Sequence, residues 1–153
     1  MGIPGRAASK IGIEAEKKAL DAGCASYYPS IEGIAELKPE IARFVKLFLD
    51  VDVDPGGCIP CTGSTSGSFI TYLVAGRMNR QKDTTLFLDP GFPVHKQQLN
   101  VLGLKHRSLD VYEYRGAALR GALEAILSEG TISTILYSNP NNPTWICFTA
   151  QEL

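Results

Sequence analysis

The sequence lacks a surplus of charge of either sign. Fifteen Lys and Arg stand against sixteen Asp and Glu, a formal net charge of −1 over 153 residues. Without a basic excess there is little to neutralise phosphates, which argues against a protein that holds nucleic acid by bulk electrostatics. The sequence also lacks the cysteine density of a disulfide-stapled mini-protein and the glycine period of a collagen. Its hydrophobic share, 44%, is too high for a disordered tail. No long apolar run is present. The longest uncharged stretch, 55–76, is broken by Gly56, Gly57, Pro60, Gly63 and Gly67 and diluted by Ser and Thr, so it makes a poor membrane helix. Met1-Gly-Ile-Pro-Gly5 has no apolar run of a leader peptide. What remains is a soluble chain, expected in the cytoplasm without nucleic-acid or membrane partners, and long enough to bury one substantial core.

Histidine is scarce, and His95 and His106 have no ligand-like spacing. The cysteines Cys24, Cys58, Cys61 and Cys147 read as free thiols in that compartment. Cys58-Ile-Pro-Cys61 is a CxxC, open to a redox pair or half a zinc site. A structural zinc needs about four ligands, and a redox pair wants its first thiol at a helix start. The pair instead lies in a short apolar run before a Gly/Ser/Thr loop, so it is expected within a buried strand, and no metal site is expected.

Two periods alternate along the chain. Helical spacing predicts helices over 13–22, ending at Gly23, and over 34–48, starting late near Leu37 because of Pro39. Strands are expected at 58–62, 84–88, 108–114 and 133–137, with helices at 66–78, 93–102 and 117–127 between them. Strand–helix alternation implies an α/β fold, three layers α/β/α around a mostly parallel sheet. The organisation expected is an N-terminal segment over 1–50 and an α/β region over 51–153. Thr149-Ala-Gln-Glu152 is a capping box announcing a helix whose body the chain does not contain, so the sequence reads as cut from a longer one.

Ligands of open α/β sheets bind where loops leave the strand ends. The first such loop, 62–68, is rich in Gly, Ser and Thr and leads into a helix, so it is either an anion cradle or a flexible turn with its cap. It is neither a P-loop nor GxGxxG. The second, 89–95, carries Phe92, which either stacks on a flat ring or closes the loop as a core residue. His95 follows it on the next helix, where a structural role is the commoner one. The third, 138–145, places two Asn-Pro steps close together, holding polar amides rigidly at a strand end.

Ser-Asn-Pro-Asn-Asn-Pro-Thr at 138–144 resembles the signature of the class I/II aminotransferases, the fold-type-I enzymes that use pyridoxal 5′-phosphate. Tyr28-Pro-Ser-Ile-Glu-Gly33 with Leu37 and Ile41-Ala42, the Gly63–Ser68 loop, Asp89-Pro-Gly-Phe92 and Met1-Gly-Ile-Pro4 resemble further family segments in the same order. The resemblance covers nearly the whole chain and places 51–153 in the N-terminal part of the cofactor-binding large domain. It implies that Asn142 bonds the ring hydroxyl, that Ser64 and Thr65 bind the phosphate with Gly63 allowing close approach, and that Phe92 stacks on the ring. It further implies that His95 lies beneath the ring, that Tyr28 reaches the phosphate of a neighbouring subunit in a homodimer, and that Gly2 meets the substrate carboxylate. Cis bonds at Asp89-Pro90 and Asn142-Pro143 fit the same loops. Trp145 stands where the family has Gly, so a left-handed backbone there would be strained and the loop is expected to differ locally. Gly67 stands where Ala is common, and Lys38-Pro39 departs from the pattern after Leu37.

In such enzymes the Schiff-base lysine follows the Asn-Pro motif, whereas every lysine here precedes Asn142. The resemblance therefore implies a transaminase of an amino acid and a 2-oxo acid, present as a part with no catalytic lysine and inactive alone. The alternatives are a non-catalytic relic or interaction module of the same fold and a thiol oxidoreductase using Cys58 and Cys61.

Overall fold

The computed structural model describes residues 5–153, so Gly2 lies outside the described residues. The chain divides into two compact units, one ending at Pro60 and one starting at Cys61.

The first unit is helical. Helix α1 runs Lys10–Asp21, three residues earlier than its apolar spacing suggested, because the Ser9 hydroxyl accepts from the Gly12 N–H at 3.4 Å and caps the start. It stops before Gly23, which takes the left-handed φ of 82°. Helix α2, Leu37–Leu49, begins where Pro39 permits and ends at Asp50, also left-handed with φ 52°. The expected strand at 58–62 is absent. Asp54 accepts from the Gly56 N–H at 3.0 Å and caps a 3-10 turn over Pro55–Gly57. Pro60 then lacks the N–H that a ladder requires, so a short apolar run does not become a strand.

The second unit holds a parallel three-stranded sheet in the order β2-β1-β3, formed by β1 Thr84–Asp89, β2 Lys105–Asp110 and β3 Ile132–Leu136. Helix α3 Gly63–Met78 leads into β1, and α4 Val94–Leu102 and α5 Ala117–Leu127 provide the crossovers. The central strand alternates between two cores, as its pleat requires. Leu86 and Leu88 face α5 through Leu119 and Ile126, joined by Leu109, Val111 and Ile132. Phe87 faces the other side, against Tyr72 of α3 and Leu99 of α4. Helices thus cover both sheet faces, giving the three layers expected.

In this unit β2 and α3 differ from the sequence-based bounds. Strand β2 starts and ends earlier than 108–114, because the Asp110 carboxylate accepts from the Tyr112 N–H at 2.8 Å and turns the chain. It is an edge strand whose residues are mostly exposed, so its polar Lys105-His-Arg107 start carries no apolar alternation. Helix α3 starts at Gly63 rather than Ser66, which makes the Gly/Ser/Thr segment the first helical turn. Gly76 lets α3 pack closely: a Cβ there would stand 2.7 Å from Leu104 Cδ1.

Candidate functional site

The phosphate-loop candidates sit at the start of α3. Gly63 has φ 76° and open space where a Cβ would be, and Ser64 and Thr65 are exposed. The opening N–H groups of a helix have no intrahelical partner and carry its positive end. Thr62, at the N-cap, supplies no side-chain bond to them. While the Thr71 hydroxyl donates to a carbonyl within α3 and the Ser68 hydroxyl is shared between the Thr65 carbonyl and Gln98 Oε1, the Ser64 and Thr65 hydroxyls make no hydrogen bond among the described residues. Donors are thus presented outward, the arrangement an anion requires.

The second loop leaves β1 at Asp89 with a cis Asp89-Pro90 bond. Phe92 is exposed, not a core residue, and meets His95 edge-on with centroids 5.8 Å apart. His95 in turn meets the Tyr72 ring at 6.0 Å, and its Nδ1 is buried without a partner, as is the Tyr72 hydroxyl. Burial pushes the Tyr72 phenol up to about 12. Lys96 forms an ion pair with Asp89, donates to Ser108 Oγ at 3.0 Å and lies 5.4 Å from the Phe87 ring centre.

The third loop contains cis bonds at Asn142-Pro143, as the motif suggested, and also at Asn139-Pro140. Asn142 is exposed, whereas Asn141 is buried. Asn141 donates from Nδ2 to the Pro90 carbonyl at 2.7 Å, and its Oδ1 accepts from the Thr144 N–H at 3.2 Å and the Thr144 hydroxyl at 2.8 Å. Its backbone N–H donates to Ile146 O at 2.9 Å, and Trp145 N–H donates to Asn141 O at 2.7 Å. That set of bonds explains a correction. Trp145 keeps the left-handed φ of 64° despite its bulk, instead of forcing a different loop. The closed turn imposes the conformation, and the indole, 85% exposed, meets no crowding.

A half-buried ion pair fastens the chain beyond this loop. Arg115 donates to both Glu152 oxygens at 2.7 and 2.6 Å, Gly116 N–H donates to the same carboxylate at 2.7 Å, and Thr149 N–H at 2.9 Å. Glu152 therefore closes its side of the capping box and also caps α5, whose own N-cap is a glycine. Arg115 beside it, with the Gly116 and Thr149 N–H groups, holds the carboxyl far below the usual carboxylate range.

Geometry brings the Gly63–Thr65 turn, Phe92, His95 and Asn142 into one unit, linked by side chains the sequence reading missed. Gln98 of α4 donates to the Thr65 carbonyl at 2.7 Å and accepts from Ser68 at 2.9 Å, and Asn141 ties the third loop to the second. Polar residues inside an otherwise amphipathic helix or an Asn-rich turn are the only sequence signal for either. Tyr28 belongs to the first unit and is fully exposed. Cys58 and Cys61 are not in a strand: each thiol donates to a carbonyl, Cys58 to Asp54 at 3.6 Å and Cys61 to Gly63 at 3.4 Å. Gly67 matters more than its small size suggested, since a Cβ there would stand 2.9 Å from Cys61 Sγ. No helix among the described residues is long and apolar enough to cross a membrane.

A three-layer parallel sheet with an anion-ready helix start, an exposed aromatic and a rigid Asn-Pro loop at its strand ends matches a known family. Residues 5–153 match "Aminotransferase class I and II", and the chain belongs to that family. A probable aspartate aminotransferase of Methanocaldococcus jannaschii is 28% identical over 132 residues, 86% of this chain and 34% of that protein. The aspartate aminotransferase of Bacillus subtilis is 26% identical over 142 residues, 92% of this chain and 35% of that protein. A crystal structure of an aminotransferase from Mycobacterium tuberculosis superposes with a TM-score of 0.77 at 22% identity, covering 99% of this chain and 38% of that one. The chain spans about a third of the length of the curated relatives it matches.

Proposed function

We propose that this chain carries the phosphate, ring-stacking and ring-hydroxyl parts of a pyridoxal 5′-phosphate site, in an aminotransferase that exchanges the amino group of an amino acid with a 2-oxo acid. The observation that carries this reading is the pair Asn141 and Asn142. One amide is buried and bonded through both its nitrogen and its oxygen within the loop cluster, and its neighbour is exposed at the strand end. The residues present fit the group: free hydroxyls at a positive helix start suit a phosphate, an exposed Phe92 suits an aromatic ring, and the buried His95 Nδ1 lacks a partner.

When bound, the cofactor supplies an electron sink for the amino acid's Cα. The chain's own residues bind and orient it. Gly63 admits the phosphate to the backbone, Ser64 and Thr65 donate to it, Phe92 covers a ring face, and the Asn142 amide donates to the ring hydroxyl. Tyr28 reaches the phosphate of a second subunit in a homodimer with shared sites, and Gly2 offers its backbone to the substrate carboxylate. The lysine that family members use to hold the cofactor is not among the residues of these loops. Lys96 directs its donors to Asp89 and Ser108, which suits a structural ammonium and not a nucleophile. Catalysis by the 153-residue chain alone is therefore not expected.

Binding of pyridoxamine 5′-phosphate, which has no aldehyde to react with surface lysines, tests the reading by calorimetry. Asn142→Ala removes one donor to the ring and is expected to weaken binding by about 1–3 kcal/mol. Unaltered affinity removes Asn142 from the site, and no binding to the parent chain removes the cofactor proposal.

A further inference from the structure

The three loops of the site are separate along the chain, and two buried side-chain amides hold them together. Gln98, on the inner face of α4 and only 9% exposed, donates from Nε2 to the Thr65 carbonyl at 2.7 Å and accepts at Oε1 from the Ser68 hydroxyl at 2.9 Å. The opposite amide orientation would set Oε1 against the Thr65 carbonyl, acceptor against acceptor, so the hydrogen bonds fix which end faces which. Helix starts fray. Here the first turn of α3 is held from outside by a helix 33 residues away in sequence. Asn141 does the same at the other end of the site: its Nδ2 reaches the Pro90 carbonyl 51 residues away, and its Oδ1 is saturated by Thr144.

We propose that Gln98 and Asn141 are positioning residues with separate duties, Gln98 setting the phosphate turn and Asn141 setting Asn142 against the ring hydroxyl. This rests on the cofactor reading above. Each amide nitrogen already donates to a carbonyl of the protein, and both side chains are buried, so neither is assigned a contact with the ligand itself. Each acts through the residue that does face it: Thr65 for Gln98, Asn142 for Asn141. A buried amide that merely stabilised the fold would weaken all ligands alike. One that sets a single contact weakens only ligands able to make that contact.

The test compares three ligands on the chain: pyridoxamine 5′-phosphate, pyridoxamine without the phosphate, and the 3-O-methyl ether of pyridoxamine 5′-phosphate. Gln98→Leu is expected to weaken the two phosphorylated ligands about tenfold and leave pyridoxamine unchanged. Asn141→Leu is expected to weaken the two ligands with a free ring hydroxyl about tenfold and leave the methyl ether unchanged. Should either apolar variant fail to fold, the near-isosteric Gln98→Glu and Asn141→Asp serve instead. Gln98→Glu turns an acceptor toward the Thr65 carbonyl and brings a carboxylate near the phosphate, so its phosphate-selective loss exceeds tenfold. Asn141→Asp keeps the Thr144 bonds, loses the Pro90 bond, and shows the same hydroxyl-selective loss. Equal losses for all three ligands, or none, overturn the proposal while the cofactor reading stands. A parent chain that binds none of the three overturns both.

Discussion

The unit ending at Pro60 and the unit starting at Cys61 use the same helical periodicity and reach different ends. In the second, strands and helices alike supply buried residues, with Leu86 and Leu99 fully enclosed. In the first, α1 and α2 bury no residue at all. Phe44 stays 59% exposed and meets the Phe48 ring of its own helix, with ring centres 4.5 Å apart. Apolar spacing therefore marks a helix and names its apolar side, but burial follows only where the chain places something opposite. The second unit gains that from a central strand whose two faces each have a helix to meet.

The largest effect expected separates the units directly. Leu86→Ala opens a cavity in the sheet core and should cost about 2–5 kcal/mol in chemical denaturation. Phe44→Ala, on the exposed face of α2, should stay within about 0.5 kcal/mol, and equal losses would erase the contrast. Next is the tightest glycine approach among the described residues of the first unit. Gly33 has φ 94°, and a Cβ on it would meet Pro60 Cδ and Cγ at 2.7 Å. Gly33→Ala should cost about 1–3 kcal/mol, read as faster amide exchange over 30–60 with 84–136 unaffected. Gly57→Ala, with nothing within 4 Å, is the silent control.

A smaller gain is expected inside the better-packed unit. Tyr72→Phe removes a buried hydroxyl without a partner and should raise stability by about 1 kcal/mol. The phenol's raised pKa makes the folded state hold its proton after the unfolded chain, at 10, has released it. The parent therefore loses stability as pH rises from 10 toward about 12, a slope absent in the Phe variant. The last effect is also a slope. Glu152 is held ionised, so its contribution is present above the ordinary carboxyl value of 4.5 and disappears as pH falls below it. Glu152→Gln should flatten the acid side of a denaturation series between pH 6 and about pH 3. An unchanged acid slope would mean that the Arg115 pair does not hold the end of the second unit.

Much of the candidate site was readable along the chain because its signals are local. Asn-Pro steps, the Gly/Ser/Thr run and the aromatic after β1 each announce themselves within a few residues. Boundaries set by a single capping side chain were misplaced: Ser9 started α1 early, Asp110 ended β2 early, and Pro60 with the Asp54 turn abolished a strand. The exposed edge strand β2 hid its true start because nothing on it needs to alternate.

By itself the sequence determined most of the alternation of helix and strand, the stop at Gly23, and the family whose signature the Asn-Pro loop resembles, since all rest on neighbours in the chain. Only the tertiary structure decided that Asn141 is buried and Asn142 exposed, that Gln98 reaches the first turn of α3, and that Glu152 caps a helix 36 residues earlier. Such bonds join groups that no local pattern relates. They form because a buried amide or carboxylate must find partners wherever folding has brought them.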